Sequence, residues 1–372
     1  MFIGGLIACT LQTAIISRRI RITYRRMGNN GAAAVRPPTG AGKSMSQVLG
    51  NEVELEAAPN RGFHDVFRPG ELTLGFILPL EGYPHSAAPT MRNHGELAEL
   101  SDKLGFAALW ARDVPMHDPA FGDTGQTFEA FTYLSFLAAK TQRIALGTAS
   151  TVIPFRHPVL LGKEAATVDQ LSGGRLILGI ASGDRPAEYP AFGIESDYET
   201  RGERFRDAFQ MFNVLTQESF PIAASDRFGT LEGHLDLVPK PTRRIPLMVT
   251  GRSQQAIDWI ARHSDGWFYY YVNVERVQPL VSMWRDEVAK VHGTEAFKPY
   301  AQGMFFDLAS DPNCPGVPIH AGLRMGRNTL IQYLETLRAA GVNHVAFNLK
   351  PSQRDARGVM EELAEYVLPT LR

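Results

Sequence analysis

Gly251, Arg252 and Ser253 follow the apolar run Pro246–Thr250 and precede an amphipathic stretch. Glycine lets backbone approach a ligand closely, serine can cap the helix that follows, and free N–H groups at a helix start attract phosphate. Arg252 adds charge-assisted hydrogen bonds of about 1.5–3 kcal/mol each. The triplet reads as an anion site, against the plainer reading of a capped helix with a solvated arginine. Ser182 and Gly183 close a second glycine-bearing stretch, "LILGIASGD". A dinucleotide fingerprint starting at Gly179 would need glycine at 181 and 184, where the chain has Ala181 and Asp184. The Rossmann reading therefore fails. What remains for Ser182 and Gly183 is ligand contact or a plain turn. For proton transfer the candidates are Asp113, His117 and His157, with Arg112 and Arg156 beside them. Arg112 and Asp113 can also pair with each other, and a histidine at a helix start is commonly structural. Tyr269–Tyr271 offer flat faces for a ring system, or simply packing.

The elements that position these residues repeat a rhythm. Apolar runs at Leu72–Leu78, Ala107–Ala111, Ile144–Ser150, Leu176–Ala181, Pro246–Thr250, Gly266–Tyr270, Ala301–Ala309 and His344–Leu349 read as strands. Each precedes a stretch of helical spacing, such as Thr127–Ala139, His157–Leu171, Ser253–His263 and Val274–His292. Strands apolar on both faces belong in a buried parallel sheet. Eight βα units in about 300 residues point to an α/β fold of the (β/α)₈ or TIM-barrel class, with a doubly wound sheet as the alternative. In such a barrel the chemistry sits on loops after the strands. Long ones are 112–127, 151–158, 182–198 and 310–328, with a further excursion over 219–245.

Composition bounds the rest. The chain has 372 residues and a formal net charge of −1, which gives no overall pull toward nucleic acid. Two cysteines, without CxxC or a Cys/His cluster, fit a reducing cytoplasm and no metal site. No GxSxG motif is present to suggest an α/β-type serine hydrolase. The first 51 residues carry seven Lys or Arg and no Asp or Glu, unlike the acidic remainder. Their apolar stretch precedes the basic one, the reverse of a secretory signal, so they read as an upstream extension or, less simply, a membrane anchor. "RPPTGAGKS" lacks the first glycine of a P-loop and follows no strand. Residues 1–68 are thus expected to be disordered and outside the fold, with the barrel at 69–372.

Taken together, "GFAALWARD", "RIALGTAS", "RHPVLLGKEAATVDQLSGGRLILGIASGD", "EYPAFG" and "PLMVTGRSQQAIDWIARHSDGWF" resemble the bacterial-luciferase-like flavin-dependent monooxygenases, from about Leu72 to Leu371. The resemblance implies a (β/α)₈ barrel that uses reduced FMN, delivered by a separate flavin reductase, and molecular oxygen to oxidise a small-molecule substrate. A homo-oligomer is expected. Implied positions are Thr148, Ala149 and Ser150 against the flavin ring, with a cis peptide near Ser150. Ser182, Gly183 and Tyr189 would lie near the flavin tail, and Gly251, Arg252 and Ser253 at its phosphate. That phosphate would follow strand five, whereas barrels more often hold phosphate after strands seven and eight. The family often carries a histidine just after strand two, but this chain has "ARDVP" there, so Asp113, His117 and His157 compete for the proton. The 310–328 loop, with His320, Arg324 and Arg327, is expected as a lid over an anionic substrate, or as a solvated loop. Two rivals share the fold: hydride transfer with the deazaflavin coenzyme, and flavin binding without catalysis.

Overall fold

The computed structural model describes residues 59–120 and 122–371. Eight parallel strands close on themselves: β1 (Thr73–Ile77), β2 (Ala108–Ala111), β3 (Ala145–Val152), β4 (Leu176–Ala181), β5 (Leu247–Thr250), β6 (Gly266–Tyr270), β7 (Tyr300–Leu308) and β8 (His344–Asn348). The ring is completed where β8 pairs with β1, Thr73 opposite His344. This is the (β/α)₈ barrel expected from the strand count, with every strand within a residue or two of its expected run. Helices return the chain between strands, from His94–Leu104 after β1 to Ala356–Glu362 after β8. Among the described residues no helix is long and apolar enough to cross a membrane. The P-loop-like and membrane-anchor stretches lie outside the described residues.

Side-chain alternation divides each strand between two cores. Leu109, Leu146, Leu178, Leu247 and Val345 face outward to the helices. Ala108, Trp110, Ile177, Met248, Phe268 and Ala346 face inward and fill the barrel. Two inward glycines make room for the large groups. A Cβ on Gly147 would sit 2.4 Å from the Trp110 ring, and one on Gly75 would sit 2.9 Å from His344. Both distances are far inside van der Waals contact, so only glycine fits there.

The base of the barrel corrects the expected boundary at residue 69. Asn60 caps a short helix, Arg61–Val66, its side chain accepting from the Phe63 amide. The same side-chain amide donates to Asp169 (2.8 Å) and to the Leu176 carbonyl (2.6 Å). Phe63, Val66 and Phe67, spaced as one helical face, enter the inner core beside Ala108 and Trp110. Residues 59–68 therefore belong to the barrel, because its open lower end exposes apolar side chains that need a cover.

A buried hydrogen-bonded chain locks this cover. The Trp110 indole donates to His344 Nε2 (2.9 Å), leaving the imidazole proton on Nδ1, 2.8 Å from Thr73 Oγ1. Thr73 Oγ1 in turn donates to the Val66 carbonyl (2.9 Å). Burial drives the His344 pKa down to about 3, so the ring stays neutral and every member is satisfied.

Two insertions carry hairpins. One, Ile222–Ser225 with Gly229–Glu232, lies in the 219–245 excursion. The other, Val317–Ile319 with Gly322–Met325, is added to the barrel, Gly322–Met325 running parallel to Phe305–Leu308 of β7. The loop expected as a lid is thus built into the sheet.

Phe63→Ala should lower unfolding stability by about 3–5 kcal/mol, as for a large buried side chain removed from a tight core. Urea unfolding measures this, and a loss below about 1 kcal/mol would mean that the helix does not cap the barrel.

Candidate functional site

The C-terminal strand ends surround a cavity of about 210 Å³. A larger hollow of about 530 Å³ lies at the opposite end, among Arg68, Asp102 and Arg143. Barrel chemistry occurs at the C-terminal face, so the smaller cavity is the candidate site. Its β6–β7 side is aromatic, with Phe268, Tyr269–Tyr271 and Phe305. Its β1, β2, β3 and β8 side presents Ile77, Arg112, Ala149 and Asn348. No Asp, Glu or His lines it among the described residues. Asn348 Oδ1 accepts from the Lys350 amide (3.0 Å), which orients its Nδ2 as the donor left over. Thr250 Oγ1, also on the wall, is buried without a hydrogen-bond partner. The Ala149–Ser150 peptide is cis, as the resemblance implied. Thr148 instead turns its hydroxyl to the Gly179 carbonyl (2.7 Å) and is fully buried.

Two turns flank the cavity. Tyr189, fully buried, donates its phenol proton to the Ser182 carbonyl (2.7 Å) and so fixes the Ser182–Gly183 turn. Burial pushes this phenol up to about 12, which keeps it a neutral donor. The second turn follows β5. Its conformation corrects the expected helix start: the helix is Ile257–His263, with Ala256 at the cap position. Ser253 does not cap it. Its hydroxyl donates to the Thr250 carbonyl (2.9 Å), and Gly251, Ser253 and Gln254 all have positive φ. Gly251 is locked by its amide to the Phe268 carbonyl (2.9 Å) and by the Trp267 indole to its own carbonyl (2.6 Å). The amides of Arg252, Ser253 and Gln254 find no protein acceptor among the described residues. Successive free amides in a turn form an anion-binding concavity. The Arg252 side chain is exposed, 6.0 Å from the Trp267 ring.

The helix Arg201–Gln217 packs its first turn on this loop. Gln255 Nε2 donates to the Gly202 carbonyl (2.9 Å), and Arg206 donates to Gln255 Oε1 (2.9 Å). Arg201 lies over the Tyr198 ring, and its Nε is buried without a partner. Arginines in a first helical turn oppose the helix dipole. In "RGERFR" Glu203 shares that turn, and Arg204 pairs with Asp197 (2.8 Å), so the arginines are partly offset by carboxylates of the chain itself.

The three acid–base candidates are not at the cavity. Arg112 and Asp113 do not pair with each other. Asp113 is held by Arg156 through two hydrogen bonds of 3.1 and 3.0 Å. The same guanidinium reaches Glu129 (2.8 Å) and Glu164 (3.0 Å), so one cation gathers three carboxylates, from the β2 loop, one helix start and the middle of the helix Pro158–Ser172. Burial raises the Glu164 carboxyl, and Arg156 only partly offsets this. For Glu129 the burial effect is outweighed by the Thr132 and Phe131 amides, leaving it below the ordinary range. His117 is exposed. His157 caps Pro158–Ser172, its Nδ1 accepting from the Val159 amide (3.3 Å), with its ring against Phe228. The lid candidates are likewise anchored. His320 packs on Phe305, Arg324 pairs with Asp307 (3.5 Å) and Arg327 with Glu362 (2.9 Å). No group of residues that could hold a metal ion occurs among the described residues.

A family model described as luciferase-like monooxygenase matches residues 73–309. The chain is similar to a 4-hydroxyprotoasukamycin monooxygenase of Streptomyces nodosus subsp. asukaensis, 29% identical over 47% of this chain and 46% of that one. It is 32% identical to the pyrimidine monooxygenase RutA of a Bradyrhizobium strain, over 52% of this chain and 56% of that one. The chain spans about half the length of the curated relatives it matches. A solved F420-dependent secondary alcohol dehydrogenase in complex with an F420–acetone adduct gives a TM-score of 0.67 at 18% identity, covering 81% of this chain and 99% of that one. The FMN-bound oxygenating constituent of 3,6-diketocamphane monooxygenase from Pseudomonas putida gives 0.63 at 13% identity, covering 81% and 99%. At such identities these two likenesses show the fold alone.

Arg156→Ala should cost about 2–4 kcal/mol at neutral pH, because three carboxylates lose their shared cation. Glu129, depressed in the folded chain, stabilises above its unfolded pKa and loses that contribution as pH falls through its folded value. The deficit of the variant should therefore shrink as pH falls below the ordinary glutamate range and Glu129 gains its proton. Urea unfolding at pH 7 and pH 4 checks this; a pH-independent deficit would contradict the electrostatic reading.

Proposed function

We propose, for a chain that belongs to the luciferase-like monooxygenase family, a flavin-dependent monooxygenase that uses reduced FMN and molecular oxygen to oxidise a small organic molecule. The FMN would come reduced from a separate reductase. The observation that carries this reading is the cavity at the C-terminal mouth, with an aromatic wall on β6 and β7 and Ala149 on β3 across the barrel. Its residues suit a flat heterocycle. Phe268, Tyr269 and Phe305 supply apolar and aromatic faces, while Asn348 Nδ2 and Thr250 Oγ1 are polar atoms with unused capacity. The free amides of Arg252, Ser253 and Gln254 suit the phosphate, with Arg252, Arg201 and Arg206 supplying positive charge nearby.

Bound there, a reduced flavin supplies two electrons and the position at which oxygen is activated. This chain's own residues do the rest. The aromatic wall excludes water, which strengthens every polar contact inside. Tyr189 holds the Ser182–Gly183 turn beside the mouth, and Gly251 is braced from β6. Since no carboxylate or imidazole lines the cavity among the described residues, proton transfer there would fall to Tyr269, Tyr270 and Tyr271 rather than to Asp113, His117 or His157.

Titration of FMN and of the deazaflavin coenzyme, followed by flavin fluorescence, tests the reading. FMN should bind, and Arg252→Ala should weaken it about tenfold, the worth of one charge-assisted hydrogen bond. Binding of the deazaflavin coenzyme with indifference to FMN would replace oxygenation by hydride transfer. FMN bound without any oxygen uptake in excess of free reduced FMN, across small organic substrates, would leave a flavin-binding protein.

A further inference from the structure

Arg112 is the one charged side chain on the cavity wall among the described residues, and it is set there by three fixed contacts. Gln126 clamps its backbone, Oε1 accepting from the Arg112 amide (2.9 Å) and Nε2 donating to the Arg112 carbonyl. Asp123 accepts from Nη1. The tip of the β2 loop is held in turn, since Tyr83 donates to Asp123 (3.0 Å) and the Gly125 amide bonds the same carboxylate (3.1 Å). Arg112 Nε and Nη2 find no protein acceptor among the described residues, although the side chain is only 21% exposed.

Two cations face Asp123 at this end. Burial acts to raise Asp123, but Arg112 and the Gly125 amide outweigh it, so the carboxyl lies below its ordinary range and is ionised. Burial and Asp123 push the Tyr83 phenol up, so it stays a neutral donor. Lys350 Nζ lies 3.8 Å from Asp123 and 4.2 Å from the Tyr83 ring, its hydrogen bond going to the Ser86 carbonyl (2.6 Å). Arg112 and Lys350 thus share Asp123, Glu81 being held a little further off by the Thr90 and Met91 amides, and no acidic residue lines the cavity among the described residues. Asn348 adds an amide donor next to them, because its oxygen is used by the Lys350 amide.

We propose that the Arg112–Asn348 end of the cavity is a subsite for the carboxylate of a small aromatic acid, its ring toward Tyr270 and Tyr271 at the rim and clear of the Phe268–Phe305 wall assigned to the flavin. A guanidinium anchored by one arm offers a second, planar donor edge, which matches the two oxygens of a carboxylate. A guanidinium on the cavity wall favours an anion over a neutral molecule of the same shape. Anion recognition thereby moves from His320, Arg324 and Arg327, which are anchored elsewhere, to Arg112 with Lys350 behind it. The proposal takes the substrate cavity from the function proposed above, but recognition by Arg112 does not require flavin.

Isothermal titration of the full chain with benzoate and with benzamide, each without flavin and with FMN, tests it. Benzoate should bind about tenfold tighter than benzamide or better, the worth of one charge-assisted pair. Arg112→Gln should abolish that preference, Lys350→Met should reduce it, and both should bind FMN as the unaltered chain does. Equal affinities for the two probes, or no benzoate binding at millimolar concentration, would overturn the subsite. So would a preference that survives Arg112→Gln, or loss of FMN affinity in that variant with benzoate unaffected. Should Arg112→Gln fail to fold, the two probes on the unaltered chain and on Lys350→Met still decide. A benzoate preference in a chain that ignores FMN would uphold the subsite and overturn the flavin reading instead.

Discussion

The barrel interior depends on one buried contact, the indole of Trp110 donating to the imidazole of His344. Both side chains point inward and are fully buried, where an unmet polar atom is costly. Their polar atoms must therefore find each other, and the remaining imidazole nitrogen must find Thr73. Thr73 passes the chain on to Val66, so the same network draws the Arg61–Val66 helix over the barrel's lower end. Removing one member would strand a buried donor or acceptor, which costs more than the bond itself contributes. Gly75 and Gly147 exist at the positions where these two rings need space.

The site follows from that filling. Trp110, His344, Phe63 and Phe67 occupy the lower and middle barrel. Above them the inward positions are small or short, Ala149 on β3 and Gly303 on β7, and the space they leave is the cavity. Its walls come from the ends of seven strands, so no single loop defines it. The polar groups around it are braced from behind: Gln126 and Asp123 on Arg112, the Lys350 amide on Asn348, Trp267 on Gly251. Such bracing holds donors ready before a ligand arrives, which is how a site avoids reorganisation on binding.

The fold was largely legible because buried parallel strands are apolar on both faces, and "LILGIA" ends where the strand ends. The Arg61–Val66 helix escaped because six residues give too short a period, and its partners lie more than a hundred residues away. The 317–325 hairpin escaped because its outer strand is exposed and carries no alternation. After β5, the strand–glycine pattern placed the turn at Gly251, where φ is positive, yet Ser253 looked like a cap and is not one, since positive φ at Ser253 and Gln254 delays the helix. Asp113 looked available because its partner, Arg156, comes from another loop, and tertiary pairing leaves no mark on spacing. The Arg112–Asp123 pair has the same origin: the nearer neighbour in sequence was Asp113, but Gln126 folds the loop back and brings Asp123 instead.

The central claim is that the C-terminal cavity, not the larger hollow at the other end, receives the cofactor. A crystal structure of the chain soaked with FMN tests it most directly. The account predicts the flavin ring between Ala149 and the Phe268–Phe305 wall, with its phosphate on the amides of Arg252, Ser253 and Gln254. Flavin density in the hollow among Arg68, Asp102 and Arg143, or a phosphate held away from the Gly251 turn, would contradict it.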